Sequence, residues 1–385
     1  MSRYRYQYQE TRVFFAQTQR LLEPVAREEL EELGAQQCKE SFCGVYFEAS
    51  PSLLPRVLYL ARTINRVLAP LVTFSCPSEE RLYRTAYDFP WFDLFGLSKS
   101  FAVFCNVSDS QIKHSRFAAL RLKDAIADHF RKKYGKRPNV DPKEPDVRFN
   151  LKIQEDRAVI SLDLSGQSLH RRGYRTASVI APVQETLAAA IVRLSGWQGE
   201  KPLLDPMAGS GTILAEALMK YSRIPAGFKR HTFGFAHLPD FDPKAWEKIK
   251  RECDAKIHPC PQRLIKGSDS DHSAVDAALK NLKQIPGGSQ IPIHCLDFRD
   301  LQGTEDHVII TNPPYGVRLD HGEQEKLQEL YRQLGDFLKK QCRGSTAYIL
   351  CGDKELSKHI GLKVSRRIPL YNGPIETRLV KIEVY

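Results

Sequence analysis

Beyond residue 181 the chain repeats one pattern, a short apolar run followed by a longer amphipathic stretch. The runs fall at 202–206, 263–268, 291–296, 307–311 and 345–351, too short for helices and rich in leucyl and β-branched side chains. Upstream of them Val183, Leu187, Ala190, Ile191 and Leu194 keep helical spacing. Such alternation predicts an α/β fold, a mostly parallel sheet with helices on both faces. The end, IETRLVKIEVY (375–385), alternates like a strand and predicts an antiparallel last hairpin with a partner around 364–371. A long insertion, 222–262, interrupts the pattern; it is aromatic and Pro-rich, and fits either a rim of a cofactor pocket or a cover for the sheet.

The 385 residues suffice for two or three domains. Before residue 181 the pattern is α+β. RVFFAQT (12–18) and GVYFEA (44–49) read as strands, and Leu22, Ala26, Leu30 and Leu33 as a helix with Pro24 in its first turn and Gly34 at its end. Residues 52–61 read as a second helix, FAVFCNVS (101–108) and RAVISLDLSG (157–166) as strands, and 115–133 as a helix with Leu122, Ile126 and Phe130 on one face. The expected domains are therefore 1–69, 70–166 and 181–385, with a polar, basic linker at 167–180.

Chemistry concentrates where two of the C-terminal strands end. In VIITNPPYG (308–316) two prolines without amide donors stop the strand at its carboxyl end, where open α/β sheets hold ligands. Asn312 and Pro313 supply oxygens that can each accept one N–H of an exocyclic amine; Tyr315 supplies a ring to stack on its plane, and Pro314 fixes the extended path. A plain Pro-rich turn would use the same residues. In PLLDPMAGSGT (202–212) an apolar strand and Asp205 lead into a turn, Met207, Gly209, Ser210, Gly211 and Thr212, that opens a helix. Its amides and the helix N-terminus favour an anion. Ala215 stands where the third glycine of a dinucleotide fingerprint would be.

Both motifs in this order resemble the Rossmann-fold, S-adenosylmethionine-dependent amino-methyltransferases. The resemblance widens with FAALRLKDAIADHFRKK (117–133), RPNVDPKEPDVRFN (137–150), ISLDLSGQSLHRRGYR (160–175) and APVQETLAAAIVRLSGW (181–197). Together these are similar to the RlmL-like family of THUMP-containing guanine-N2 methyltransferases of bacterial large-subunit ribosomal RNA. The resemblance implies a ferredoxin-like region, a THUMP RNA-binding domain and a Rossmann-like methyltransferase domain. It implies S-adenosylmethionine as cofactor, held by Asp205 and the glycine turn, by Asp269 and Ser270 of GSDSD at the ribose, by Asp297 and Phe298 of CLDF at the adenine, and next to Asn312. It implies Asn312, Pro313, Pro314 and Tyr315 as the catalytic set, acting without a metal. Asp269 or Ser270 would equally serve as a helix N-cap. The family usually has Cys where Ala208 stands, and many members continue into a second methyltransferase domain where this sequence stops.

The net charge is +11, which suits a polyanionic partner. Nine Lys/Arg in 113–137 face only Asp124 and Asp128. Lys113, Arg116, Arg121, Lys123, Arg131, Lys132 and Lys133 are expected to meet RNA phosphates, although a solvated charged face gives the same pattern. His170, Arg172 and Arg175 are expected either at RNA or in an interdomain salt bridge. Nine cysteines without zinc spacing, a polar N-terminus without an apolar core and no apolar run of membrane length predict a cytoplasmic chain. NPPY also serves methyltransferases of DNA adenine and of protein glutamine, and transfer RNA guanine-N2 methyltransferases share the architecture that the resemblance implies. A non-catalytic RNA-binding protein with a decayed site, and a nicotinamide oxidoreductase, are readings of other classes.

Overall fold

The computed structural model describes residues 4–179, 182–315, 321–352 and 355–385, and side chains for all of these but 321 and 322. Gly316, the last residue of the 308–316 run, and Ala181 lie outside the described residues. The chain folds as two compact units. One comprises the segment up to Thr18, Ala26–Leu169 and Arg230–Arg251; the other comprises Gln19–Val25, His170–Lys229 and Glu252–Tyr385.

The first unit is built on one seven-stranded sheet. Its strands are β1 (Val13–Gln17), β2 (Gln36–Ser41), β3 (Gly44–Glu48), β4 (Arg66–Ser75), β5 (Phe101–Ser108), β6 (Val147–Gln154) and β7 (Arg157–Asp163), in the order β2-β3-β1-β4-β7-β6-β5. Neighbours run antiparallel except β5 and β6, which the helix Ser115–Tyr134 joins as a parallel crossover. The expected boundary at 69/70 falls inside β4, which pairs with both β1 and β7 and so makes one sheet of the two expected regions. Pro70 cannot donate to a ladder, and the β4–β7 register slips between Pro70 and Val72, as a bulge at a strand proline should.

Most of the 222–262 insertion belongs to this first unit. Phe233, Phe235 and Trp246 pack ring to ring, with Trp246 5.3 Å from Tyr59 at 87°. Arg230 donates to the carbonyls of Ser165, Gln167 and Ser168. Gly234 lies so close to β7 that a Cβ there would sit 2.0 Å from the Asp163 carbonyl oxygen. Residues 230–251 are thus an arm integrated into the N-terminal unit, while the two ends of the insertion stay with the second unit, and none of its residues lines the cofactor pocket described below.

The second unit carries the other sheet, β8 (Leu203–Asp205), β9 (Ile265–Asp269), β10 (Ile293–Cys295), β11 (Val308–Thr311), β12 (Thr346–Cys351), β13 (Val364–Asn372) and β14 (Ile375–Glu383). Its order is β10-β9-β8-β11-β12-β14-β13, with the first five parallel and β14 antiparallel to both neighbours. Alternate side chains of the central strands feed two cores. Leu203, Ile310 and Leu350 join Leu187, Ile191 and Leu214, while Leu204, Ile309 and Ile349 join Tyr331, Leu334 and Leu338. Burial of both faces, each large apolar side chain worth about 1.5–3 kcal/mol, makes the sheet a rigid platform. Among the described residues no helix is long and apolar enough to cross a membrane.

Candidate active site

The parallel strands end together, and their carboxyl tips surround a pocket of about 860 Å³. β8 delivers Asp205 and the turn after it, β9 delivers Asp269 and Ser270, the segment after β10 delivers Asp297 and Phe298, and β11 delivers Asn312 to Tyr315. The pocket is also lined by Met207, Gly209, Ser210 and Thr212. Gly211 is the one expected contact that does not line it. It caps the helix Thr212–Tyr221 at φ 75°, and a Cβ there would come 3.0 Å from the Ala278 Cβ, so this glycine serves the turn and a close helix contact.

Asp205 is 1 % exposed. Its Oδ1 accepts the Met207 amide at 3.2 Å, which fixes the start of the turn. Burial pushes its carboxyl up to about 7, with the Asp269 charge adding to the rise and the Thr311 hydroxyl and Met207 amide opposing it. The Asp269 oxygens accept the Gly209 amide at 2.8 Å and the Asp271 amide at 3.0 Å, so β9 braces the glycine turn. Each oxygen keeps a second lone pair for a ribose hydroxyl. The helix His272–Leu282 is capped by Asp271, which accepts the Ser273 amide; neither Asp269 nor Ser270 is the cap. Asp297 is gripped by the Arg299 guanidinium through two contacts of 2.7 Å, which hold its carboxyl below the usual range. Phe298 is 3 % exposed and packs edge-on against Phe337, 5.7 Å between ring centroids.

At the other side of the pocket the Asn312 side-chain oxygen is buried and accepts no hydrogen bond among the described residues. An unpartnered buried acceptor costs about 1–3 kcal/mol, and an incoming N–H donor would relieve it. Pro313 is buried and Pro314 exposed. The Tyr315 ring lies over bare backbone: a Cβ on Gly352 would fall 2.2 Å from its Cδ2. Its hydroxyl accepts from Asn372 Nδ2 at 2.6 Å, and Asn372 and Ile375, from the tip of the β13–β14 hairpin, complete the pocket wall. The residues thus provide a turn and acidic tips suited to an amino-acid-bearing nucleoside, and beside them an acceptor and a ring suited to a planar amine.

The model of the RMKL-like methyltransferase domain matches residues 172–381, that of the THUMP domain 76–163 and that of the RlmL ferredoxin-like domain 13–68. A putative RNA methyltransferase of Synechocystis sp. is 40% identical over 97% of this chain and 97% of its own. The chain belongs to the RMKL-like methyltransferase family. The ribosomal RNA large subunit methyltransferase K/L of Syntrophotalea carbinolica is 37% identical over 96% of this chain but only 53% of its own length; the chain spans about half the length of the K/L relatives it matches. A solved putative methyltransferase complexed with SAH superposes with a TM-score of 0.85 at 26% identity, over 97% of this chain and 98% of the other. The protein is accordingly an S-adenosylmethionine-dependent methyltransferase with a THUMP RNA-binding domain, and the pocket's donor set fits that cofactor.

For this RMKL-like enzyme the basic segment 170–175 needs correction. Arg172 is 1 % exposed, with its Nε 3.4 Å from Glu216, whose Oε1 also accepts from Tyr174. Arg175 donates to Val183 O at 2.7 Å and Thr212 Oγ1 at 3.0 Å, and its Nε lies 3.2 Å from Glu185. All of these groups lie in the second unit; Arg172, buried there, is no RNA contact, and Arg175 is held against Thr212 of the cofactor turn. His170 is half-buried. Arg172→Ala would strand the Glu216 charge in the core, an expected loss of about 3–5 kcal/mol in urea unfolding. A surface arginine would give a loss within about 0.5 kcal/mol.

The basic helix does face outward. Lys113, Arg116, Arg131, Lys132 and Lys133 are exposed, and Arg121 and Lys123 partly so. Arg131 pairs with Asp128 and Lys123 with Asp124; Arg121 lies over the Tyr83 ring at 4.3 Å and Lys133 over Phe92 at 3.8 Å. Lys113, Arg116 and Lys132 have no ion pair among the described residues.

Two residues escaped the sequence reading. Asn281 is fully buried; it accepts the Thr176 and Ala177 amides and donates to Ala177 O and Ser210 O, tying the segment after Arg175 to the cofactor turn. It sits on the apolar stripe of its helix with Ala274 and Ala278, and a lone amide on such a stripe was the available signal. Asn372, in an ordinary-looking NGP turn, had none.

Proposed function

We propose that this enzyme methylates the exocyclic N2 amine of a guanine in large-subunit ribosomal RNA. The observation that carries the reading is the buried, unpartnered Asn312 oxygen next to the seated Tyr315 ring, at the mouth shared with the cofactor turn. S-adenosylmethionine supplies an electrophilic methyl, which leaves its sulfonium as a C–N bond forms and the alkylated nitrogen sheds a proton to water. The protein's part is orientation. Asn312 Oδ1 and the Pro313 carbonyl accept hydrogen bonds from the two amine N–H groups, turning the nitrogen lone pair out of conjugation, and Tyr315 stacks on the base, which must leave its own stack to reach the pocket. No dedicated base is required before transfer. The acidic and aromatic tips of β9 and the segment after β10 would hold the ribose and adenine.

The ribosomal target is favoured by the K/L relatives, whose names specify it, and by the exposed basic helix of the THUMP region. Transfer RNA guanine is the runner-up substrate. Incubating the enzyme with tritiated S-adenosylmethionine and either deproteinised large-subunit RNA or bulk transfer RNA decides between them: label should enter the ribosomal RNA, and label confined to transfer RNA would move the enzyme to the second substrate. Replacing Lys113, Arg116, Arg131 and Lys132 together by Ala should weaken RNA binding and lower the steepness of log K against log salt by about 3, near 0.7–0.9 per lost phosphate contact. A parental slope would mean that this helix is only solvated.

A further inference from the structure

A second cavity, of about 560 Å³, lies within the N-terminal unit and takes no part in the chemistry above. Its walls come from the N-terminal segment, from residues 49–55 and from the arm of the insertion. Tyr8, Phe14, Phe235, Phe241 and Trp246 give it an aromatic lining, of which Phe241 and Trp246 are only partly covered. Its charged groups divide unequally. Asp240 is occupied by the Tyr8 hydroxyl, which donates to it at 2.7 Å, and Asp242 accepts the Lys244 amide at 2.9 Å at the start of the helix Pro243–Asp254. The guanidinium groups of Arg5 and Arg12, both exposed on the pocket wall, have no hydrogen-bond or ion-pair partner among the described residues.

From this we infer that the cavity is a nucleotide-binding site for the RNA substrate, distinct from the catalytic pocket: one unstacked base enters the aromatic chamber while Arg5 and Arg12 hold its flanking phosphates. The inference rests on the reading of the chain as an RNA-acting enzyme. The volume suits a single nucleoside. Sequence-tolerant capture of single-stranded RNA uses this combination of aromatic faces and guanidinium groups on the backbone. The free arginines favour an anionic occupant, and a purely apolar partner would leave them unused.

The tryptophans make the test direct. Trp91 and Trp197 are 0% and 1% exposed, so Trp246 alone can stack on an external base. An unstructured single-stranded RNA 12-mer should quench the protein's tryptophan fluorescence, and Trp246→Phe should remove the quenching. The double variant Arg5→Ala/Arg12→Ala, altered only at exposed side chains, should bind the 12-mer several-fold more weakly by anisotropy. Its salt slope should fall by about 1.4, two contacts at about 0.7 each on a single strand. If the 12-mer binds with parental slope in that variant and leaves fluorescence unchanged in the parent, the cavity is not a nucleotide site, while the methyltransferase reading stands. If neither the 12-mer nor large-subunit RNA binds at all, both readings fall. A Trp246→Phe protein that fails to fold leaves the arginine variant to decide.

Discussion

Asp205→Asn should make the cofactor-free protein more stable than the parent at pH 8 while weakening its grip on S-adenosylmethionine. Asp205 is buried, and burial, aided by the Asp269 charge, raises its carboxyl to about 7 from an unfolded value of 3.8. An acid raised in this way takes up a proton on folding. Its favourable contribution is complete below the unfolded value and is lost as pH climbs through the folded one. Above pH 7 the ionised group costs on the order of 4 kcal/mol, the shift multiplied by 1.36 kcal/mol per unit. The neutral amide avoids that cost but must place an N–H pair in the same space, so a net gain of about 1–3 kcal/mol at pH 8, vanishing by pH 5, is expected in urea unfolding. Equal effects at the two pH values would contradict the placement of this carboxyl. The same charge should draw the cationic cofactor. Parental affinity should tighten between pH 6 and 8 with release of a proton, seen by calorimetry in buffers of different ionisation enthalpy, and the variant should bind weakly and without that pH dependence.

Asn312→Ala should lower single-turnover methyl transfer by about a hundredfold or more, because it removes the acceptor that aligns the amine in the transition state. Tyr315→Ala removes a stacking face worth about 1–3 kcal/mol and should leave measurable activity. Asn372→Ala should fall between the parent and Tyr315→Ala, since it frees the tyrosine hydroxyl but leaves the ring on Gly352. All three should retain RNA affinity, to which the basic helix contributes. An Asn312→Ala enzyme with parental turnover would remove this residue from the chemistry.

The parallel strands and the last hairpin were legible because their side chains obey simple periods: β11 is buried along its whole length, and β14 alternates except at Leu379 and Val380, both buried. The N-terminal sheet was legible only in part. β2, QQCKES, lacks any large apolar residue and is held as an edge by β3, and β4 carries Pro70, which argues against a strand unless a bulge absorbs it. The pocket residues sit at strand ends, where topology alone brings distant tips together. What could not be read was pairing across the chain. Nothing local distinguishes Arg172, buried against Glu216, from exposed Arg171 beside it, and the basic run 170–175 looked like a nucleic-acid patch. Likewise the segment 230–251 carries no mark of the unit into which it folds; Gly234 pressed on the Asp163 carbonyl, the Arg230 clamp and Trp246 packed on Tyr59 reveal it.

Whether this pocket orients a guanine amine is decided by incubating large-subunit ribosomal RNA with the enzyme and deuteriomethyl-labelled S-adenosylmethionine, digesting it to nucleosides and resolving them by mass spectrometry. The label is expected in N2-methylguanosine, formed more slowly by about a hundredfold or more when Asn312→Ala replaces the parent; label in N6-methyladenosine instead would refute the guanine assignment.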